Sequence, residues 1–427
     1  MASGETRSSP LFRTRPDAFA IEPATPGTLA LGGSIHLSEG LSNSYLVITP
    51  HGRVVINTGM GFEAPIHRTN YDAIDDGPIR YVLLTQGHVD HVGGVDAFLE
   101  EGTEVVAQAG NAAQQADDAR IAAFRARRSA FAFADAIARA GRYAKQNAGG
   151  RRPSQSRPTP TLGFDDRHAF ELGGVRFELL ATPGGETLDS MVVWLPDRRV
   201  CFTGNLFSAL FGHFPNLVTI RGDRYREPLR FVESLERVRA LEPERLLVGH
   251  GGPVDGAGVI RAELERLRDA VLYVHDETVR GMNQGRDLYE LMREIRLPPE
   301  LRVGEGYGKV SWGVRAIWEN YAGWFQHRSA AELYPAPPGA VHPELVELAG
   351  GPDAVAERAH RRLGAGQAVL ALQLAEAALA AEAGHRGALE ASLAAHVALE
   401  KESSNFWQLS FLRRQIADLR QRLGAGG

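Results

Sequence analysis

Potential metal ligands crowd into one short segment of this chain, residues 86–91. His88, Asp90 and His91 fall within four consecutive residues, directly after segment 80–85, whose composition is that of a buried strand. Side chains this close in sequence can converge on one point only if the backbone turns there, and Gly87, Gly93 and Gly94 supply that freedom. Imidazole and carboxylate groups are ligands that zinc, iron and manganese favour. The segment therefore predicts a metal site at the end of a strand.

Further candidate ligands follow strands that are predicted later in the chain. Glu186 lies in a Thr-Pro-Gly loop, Asn205 follows a predicted strand end, and His250 follows another. Because ligand types recur at several strand ends, the pattern favours a metal cleft over a polar loop with incidental histidines.

Strand and helix signals alternate up to about residue 260, and from there helix signals dominate. Strands are expected over 44–49, 53–57, 80–85, 175–181, 190–195, 199–203 and 246–248, and helices over 108–143 and 227–240. Four more helices are expected over 353–363, 366–383, 386–400 and 403–423. This order predicts an α/β or α+β layered domain followed by an all-α domain. We expect a loose amino-terminal arm over 1–25, a catalytic domain over 26–261 and a helical domain over 262–427.

Composition narrows the classes of partner. The net charge of −5 gives no reason to expect nucleic acid or an anionic membrane as a partner. The single cysteine, Cys201, excludes an intramolecular disulfide and a cysteine-rich zinc site. No stretch reaches 18 apolar residues, and the amino terminus has no signal-peptide core. We expect a cytoplasmic protein that acts on a small molecule.

The order of these motifs resembles the metallo-β-lactamase superfamily, which has a histidine-rich turn, a Thr-Pro-Gly loop and a late histidine. The resemblance implies an αββα sandwich with two metal sites in one cleft. It places Gln86, His88 and Glu186 in the first site, and it places Asp90, His91 and His250 in the second site. One or two zinc ions are the expected cofactor, with iron or manganese as alternatives.

Later segments resemble the dimerisation region of the alkyl sulfatases in this superfamily. They are 273–280, 282–285, 296–301, 308–311, 314–316, 320–325 and 347–351, and segment 219–222 resembles a stretch near the alkyl sulfatase active site. The resemblance implies a homodimer built largely by residues from about 262 onward. The larger members of that family carry a sterol-carrier-like domain at the carboxyl end, and we expect this chain to lack it because the sequence ends after the helices.

Two departures from the family pattern change the expected metal content. The first histidine of the family is Gln86 here, and its bridging carboxylate is absent, since Gly204 and Asn205 stand there. Two dications carry four positive charges, whereas Asp90, Glu186 and one hydroxide return only three negative ones. Uncompensated charge in a desolvated cleft is costly. One firmly held metal ion in the second site is therefore favoured. The first site would then bind metal weakly, stay vacant or bind substrate. Two metal ions are the alternative if the substrate supplies an anion.

Other residues could act on the substrate. Arg221 can clamp a sulfate or another oxyanion with its planar guanidinium, or form a surface ion pair with an acid such as Asp223. His213 could serve as an acid or cap a loop, and Asn216 could bond substrate oxygens or shape a turn.

The relatives carry tyrosines where this chain has Phe131 and Phe133, so the resemblance implies a more apolar pocket. If the chemistry is shared, a metal-activated water at Asp90 attacks an ester that has an apolar part.

Three functions remain open from the sequence. The first is a zinc-dependent hydrolase of a sulfate ester or a related ester. The second is a non-haem iron oxygenase with one or two irons on the same fold. The third is a dimeric scaffold without catalysis. The chain retains most of the ligand positions, which argues against this third function.

Overall fold

The computed structural model of this protein describes residues 10–14, 22–148, 150–218 and 220–425. The predicted arm over 1–25 therefore lies mostly outside the described residues, as does Thr219 in the segment likened to an alkyl sulfatase active site.

The first sheet of the described chain has seven strands in sequence order. Its strands are β1 (Leu29–Gly32), β2 (Ile35–Ser38), β3 (Ser44–Thr49), β4 (Gly52–Ile56), β5 (Ile79–Leu84), β6 (Glu104–Gln108) and β7 (Leu162–Phe164). Strands β1 to β4 pair antiparallel, and β4 to β7 pair parallel. The predicted hairpin over 44–57 is confirmed.

The second sheet has six strands in the order β13-β12-β11-β10-β9-β8. They are β8 (Arg167–Leu172), β9 (Val175–Ala181), β10 (Met191–Leu195), β11 (Val200–Gly204), β12 (Arg245–Val248) and β13 (Val254–Asp255). Only β11 and β12 pair parallel among these strands.

Helices flank the sheets and fill the end of the chain. They are α1 (Ala64–Asp72), α2 (Val89–Val92), α3 (Asn111–Arg120), α4 (Ala122–Asn147), α5 (Pro228–Arg239), α6 (Ala257–Asn283), α7 (Leu288–Glu294), α8 (Val310–Ala322), α9 (His342–Leu348), α10 (Pro352–Gly364), α11 (Ala368–Ala381), α12 (Arg386–Glu402) and α13 (Phe406–Ala425). No helix of the described residues is both long enough and apolar enough to span a membrane.

Alternating apolar side chains place the main core between the two sheets. Val47 and Leu83 of the first sheet pack in one buried cluster with Leu179 and Phe202 of the second. A second cluster lies between the first sheet and the helices outside it, and a third joins the outer face of the second sheet to α5, α6 and α8. The predicted αββα sandwich is therefore confirmed.

The chain separates into two compact units, one up to Tyr321 and one from Ala322 onward. This division falls later than the boundary predicted between 261 and 262. The reason is packing, because Leu264 of α6 and Val314 of α8 belong to the same buried cluster as Val192 of β10.

The second unit contains the helices α9 to α13. Helices α10 to α13 agree closely with the four predicted there, whereas α9 was not predicted. Small side chains let these helices pack closely, since Ala359, Ala375 and Ala391 form one buried cluster. The predicted helix over 108–143 is two helices instead. Ile121 breaks it with φ −111° and ψ 15°, outside the helical range.

Candidate metal centre

The segment that follows β5 is fastened to the end of the neighbouring parallel strand β4. Asn57 follows β4 with φ +56°, a conformation that asparagine tolerates better than most residues. Its Oδ1 accepts the backbone N–H of Thr85 at 2.9 Å. The hydroxyl of Thr58 donates to the carbonyl oxygen of His91 at 2.9 Å. These bonds hold the candidate ligands at the edge where both strands end.

The glycines beside this segment provide space rather than unusual backbone angles. A Cβ on Gly93 would lie 2.1 Å from Gln155 Nε2 and 2.5 Å from the carbonyl oxygen of Val89. One on Gly94 would lie 2.3 Å from the carbonyl oxygen of Thr58. Their φ values are −62° and −97°, which other residues also adopt. The expectation that these two glycines supply backbone freedom is therefore wrong, and close packing explains them.

Asp90, His91 and His250 converge as the sequence predicts for the second site. Oδ2 of Asp90 lies 3.6 Å from Nε2 of His91 and 3.7 Å from Nε2 of His250. One ligand atom from each residue lies within 4.8 Å of the others, close enough for all three to bind one ion. His250 comes from the loop after β12, so the two sheets supply the cluster jointly.

The chemistry of this donor set fits a divalent metal ion. Within the described chain, neither ring nitrogen of His91 has a hydrogen-bond partner although both are buried. His250 Nδ1 donates to the carbonyl oxygen of Leu41 at 2.9 Å, which leaves its Nε2 as the ligand atom.

The protonation states also suit a metal. Burial lowers the pKa of His91 and brings that of His250 to about 4, so both rings are neutral at pH 7. Burial raises the pKa of Asp90, but His91 and His250 outweigh this effect and bring the pKa to about 2. Two neutral imidazoles and one carboxylate are a common zinc donor set.

Gln86, His88 and Glu186 also lie together, as the sequence predicts for the first site. Gln86 Nε2 lies 2.9 Å from His88 Nδ1, which lies 3.5 Å from Oε1 of Glu186. The backbone N–H of Asn205 donates to Gln86 Oε1 at 3.3 Å. Asn205 also places Nδ2 3.2 Å from His250 Nε2, and so lies beside both groups of ligands.

A network of arginines and carboxylates surrounds these side chains. Arg226 lies 2.9 Å from Oε1 of Glu186. Arg221 lies 4.0 Å from the same oxygen and 3.9 Å from Oδ2 of Asp223. Arg125 pairs with Asp223 at 2.7 Å. The expected pair of Arg221 with Asp223 exists, but it lies beside the candidate site and both side chains are mostly buried.

These residues open onto a cavity of about 180 Å³. Its polar lining is His88, Asp90, Ser129, Glu186, Asn205, Arg221, His250 and Tyr307. Its apolar lining is Leu41, Met60, Val89, Phe133 and Ile137. Val89 and Ile137 are 49% and 41% exposed, so the apolar lining reaches solvent. The cavity can therefore take a small molecule with one charged group and one apolar part.

Three residues are not among those that line this cavity, namely the predicted acid His213 and the predicted substrate-binding residues Asn216 and Phe131. His213 is buried, and its Nδ1 accepts the backbone N–H of Gly306 at 2.9 Å. Asn216 is buried too, and its carbonyl oxygen accepts a hydrogen bond from Arg226. Phe131 lies on α4 two residues before Phe133, which does line the cavity. The contacts of His213 and Asn216 hold their loops in place. Neither residue lines the cavity, so the geometry does not support the chemical roles predicted for them.

Arg226 and Tyr307 are residues that the sequence reasoning missed. Both are buried, Arg226 against Glu186 and Tyr307 in the cavity lining. The run 221–226 contains three arginines and one aspartate, a density of charge that could have indicated a buried network. Tyr307 stands between two glycines, and a Cβ on Gly308 would lie 2.4 Å from the carbonyl oxygen of Phe214, so this turn must approach closely.

Known protein families account for this arrangement. A family model described as the metallo-beta-lactamase superfamily matches residues 37–250, half of the chain. This chain belongs to the metallo-beta-lactamase superfamily. A second family model, described as alkyl sulfatase dimerisation, matches residues 288–422 of this superfamily member.

Curated relatives of this metallo-beta-lactamase superfamily member include sulfatases. It is 31% identical over 327 residues to a linear primary-alkylsulfatase from a Pseudomonas species. The aligned region covers 73% of this chain and 61% of that relative. It is 27% identical over 302 residues to the alkyl/aryl-sulfatase BDS1 of Saccharomyces cerevisiae. That aligned region covers 66% of this chain and 46% of the relative. The chain thus spans about half to three fifths of the length of these relatives.

A solved structure shares the fold. The stereoselective inverting sec-alkylsulfatase from Pseudomonas sp. superimposes with a TM-score of 0.79 at 24% sequence identity, over 92% of this chain and 66% of that chain. At this identity the likeness shows the fold of this superfamily member.

Proposed function

We propose that this protein is a metal-dependent hydrolase that cleaves a sulfate ester, or a related ester, of a small molecule with an apolar part. The observation that carries the proposal is the cavity, which joins a three-ligand metal cluster and Arg221 at its polar side to Phe133 and Ile137 at its apolar side. The similarity to alkyl sulfatases supports the choice of ester.

Asp90, His91 and His250 would hold the metal, and zinc is the expected ion because two imidazoles and a carboxylate suit it. When bound, the ion would polarise the ester and activate a water molecule. Asp90 is ionised and each histidine is neutral, so no ligand needs to change its proton before it binds the ion.

The protein's own side chains would bind and orient the substrate. Arg221 presents a guanidinium to the cavity, and its fork of N–H donors matches two oxygens of a sulfate. Asp223 and Glu186 lie 3.9 and 4.0 Å from it, so their negative charges favour the guanidinium at this position. Phe133 and Met60 would cover the apolar part and exclude water from the ester.

The experiment is a sulfate-release assay on zinc-loaded protein with linear alkyl sulfates. We expect hydrolysis by the native protein. We expect kcat/KM to fall by about 10²–10³ in Arg221→Ala, because a charged donor to the reacting group is lost. Arg224→Ala is the matched control, since its side chain is 74% exposed and pairs with Asp117 at the surface. Release of no sulfate from the panel by the zinc-loaded protein, or equal activity of Arg221→Ala, would overturn the proposal.

A further inference from the structure

Gln86 already has a protein partner at each end of its amide group. Its Oε1 accepts the backbone N–H of Asn205 at 3.3 Å, and its Nε2 lies 2.9 Å from His88 Nδ1. A backbone N–H can only donate, so it requires the amide oxygen on its side. Turning the amide over would place two donors against each other. Gln86 therefore donates to His88.

His88 consequently accepts a hydrogen bond at Nδ1. A neutral imidazole that accepts at one nitrogen carries its proton on the other, so Nε2 is an N–H group that faces Oδ2 of Asp223 at 3.8 Å. A protonated imidazolium has no lone pair with which to accept a hydrogen bond, so the bond from Gln86 requires a neutral ring. With its one lone pair engaged by an amide that is fixed at both ends, His88 has no lone pair left for a metal ion. Asn205 also lies 3.2 Å from Nε2 of His250, but its Oδ1 has no hydrogen-bond partner among the described residues, so its amide can turn and leave that lone pair to a metal ion.

Glu186 already has a cation. Arg226 lies 2.9 Å from its Oε1 and also donates through Nε to its backbone carbonyl oxygen at 3.0 Å. Arg226 is 4% exposed, and it donates further to the carbonyl oxygen of Asn216. A guanidinium held by several acceptors stays in place, so it neutralises Glu186 as a dication would.

The formal charges of the acidic and basic side chains around the site, called the ionic cluster below, agree with this arrangement. The carboxylates of Asp90, Asp118, Glu186 and Asp223 face the guanidiniums of Arg125, Arg221 and Arg226. With neutral histidines the ionic cluster carries one net negative charge. One dication more than offsets it, whereas a second would leave three positive charges in a mostly buried site.

We infer that this chain binds one divalent cation, at Asp90, His91 and His250, and that Arg226 and the Gln86–His88 hydrogen bond close the position where the superfamily resemblance implies a second one. The inference rests on the proposed metal site, but it concerns the number of ions and not the reaction.

Two histidines of the same loop provide the test. Native protein, His88→Ala and His91→Ala are equilibrated with excess zinc and dialysed, and the zinc per chain is measured by elemental mass spectrometry. Zinc affinity is measured by competition with a chromophoric chelator, and circular dichroism confirms the fold of each variant. We expect one zinc per chain in the native protein, one with unchanged affinity in His88→Ala, and loss of the ion in His91→Ala.

The outcomes separate the inference from the proposed reaction. Two zinc ions per native chain, or weaker zinc binding by folded His88→Ala, would overturn the inference. If His88→Ala does not fold, the native stoichiometry still decides. Absence of zinc from the native protein would overturn the inference together with the proposed metal site. One bound zinc without sulfate release would count only against the reaction.

Discussion

Phe133 contributes an aromatic surface at the apolar side of the cavity, where the resemblance to alkyl sulfatases implies a tyrosine. We expect Phe133→Ala to raise KM for long-chain substrates far more than for short ones. Burial of a full apolar side chain is worth about 1.5–3 kcal/mol, which corresponds to a rise in KM of roughly 10- to 100-fold. Initial rates on alkyl sulfates of increasing chain length measure this effect.

Phe131→Ala is the control for this prediction, since Phe131 lies on the same helix but not in the cavity lining. An equal loss at every chain length in Phe133→Ala would show that the side chain supports the fold of α4 and does not bind the substrate chain.

The sequence predicted which side chains come together at the candidate metal centre, but it could not predict their hydrogen bonds. His88, Asp90 and His91 are neighbours along the chain, so their proximity follows from one tight turn after a strand. The pairing of Glu186 with Arg226 depends on the path of a loop between separate elements. Sequence spacing carries little information about such a path, which is why Arg226 was missed.

At the scale of elements, the segment 41–43 before β3 joins the candidate metal ligands to both sheets. Leu41 accepts a hydrogen bond from His250 Nδ1, and the hydroxyl of Ser42 donates to the carbonyl oxygen of Asp90. Asn43 donates from its side chain to the carbonyl oxygen of Val248 at 2.9 Å. This segment therefore helps to orient His250.

Glu63, just before α1, holds that segment through a buried carboxylate. It accepts the backbone N–H of Ala24 at 2.7 Å and that of Leu41 at 3.2 Å. Burial raises its pKa to about 7, although these two bonds oppose the rise. The folded protein then binds a proton that the unfolded chain has released, between about pH 4.5 and pH 7.

The free energy of unfolding that Glu63 contributes should therefore fall as pH rises through this window, by up to about 3 kcal/mol. Glu63→Gln cannot ionise, so its stability relative to the native protein should improve by a similar amount between pH 4.5 and pH 8. Urea unfolding at both pH values measures this difference. Glu101→Gln, at an exposed position, should follow the native protein. A constant difference between Glu63→Gln and the native protein would show that Glu63 is ionised throughout.

The pattern of burial explains which elements could be read from the sequence. Buried strands such as β5 and β10 are nearly continuous apolar runs, and the expected bounds agree within a residue. Strand β8 lies at the edge of its sheet and has no fully buried residue, so its mixed polar composition gave no strand signal. The break at Ile121 was missed because the residues on both sides favour helix.

At the scale of the whole molecule, the residues from 321 to 348 leave many large apolar side chains exposed. They are Tyr321, Trp324, Leu333, Tyr334, Val341, Leu345 and Leu348, and Leu348 is 85% exposed. They fall within the region that matches alkyl sulfatase dimerisation. Large apolar side chains that are exposed in such number commonly mark a surface that another protein covers. We therefore expect a homodimer that buries part of this segment.

Sedimentation velocity at micromolar protein concentration measures the oligomeric state and so tests this expectation. A symmetric interface would bury each leucine twice, so Leu345→Asp combined with Leu348→Asp should weaken the dimer at least about 100-fold, since each buried leucine is worth about 1.5–3 kcal/mol. Both side chains are exposed in the single chain, so the change should leave the unfolding temperature nearly unaltered. Leu99→Asp, 48% exposed in the other compact unit, is the control and should leave the dimer intact. A native monomer, or a dimer that survives both aspartates, would show that these leucines do not form the interface.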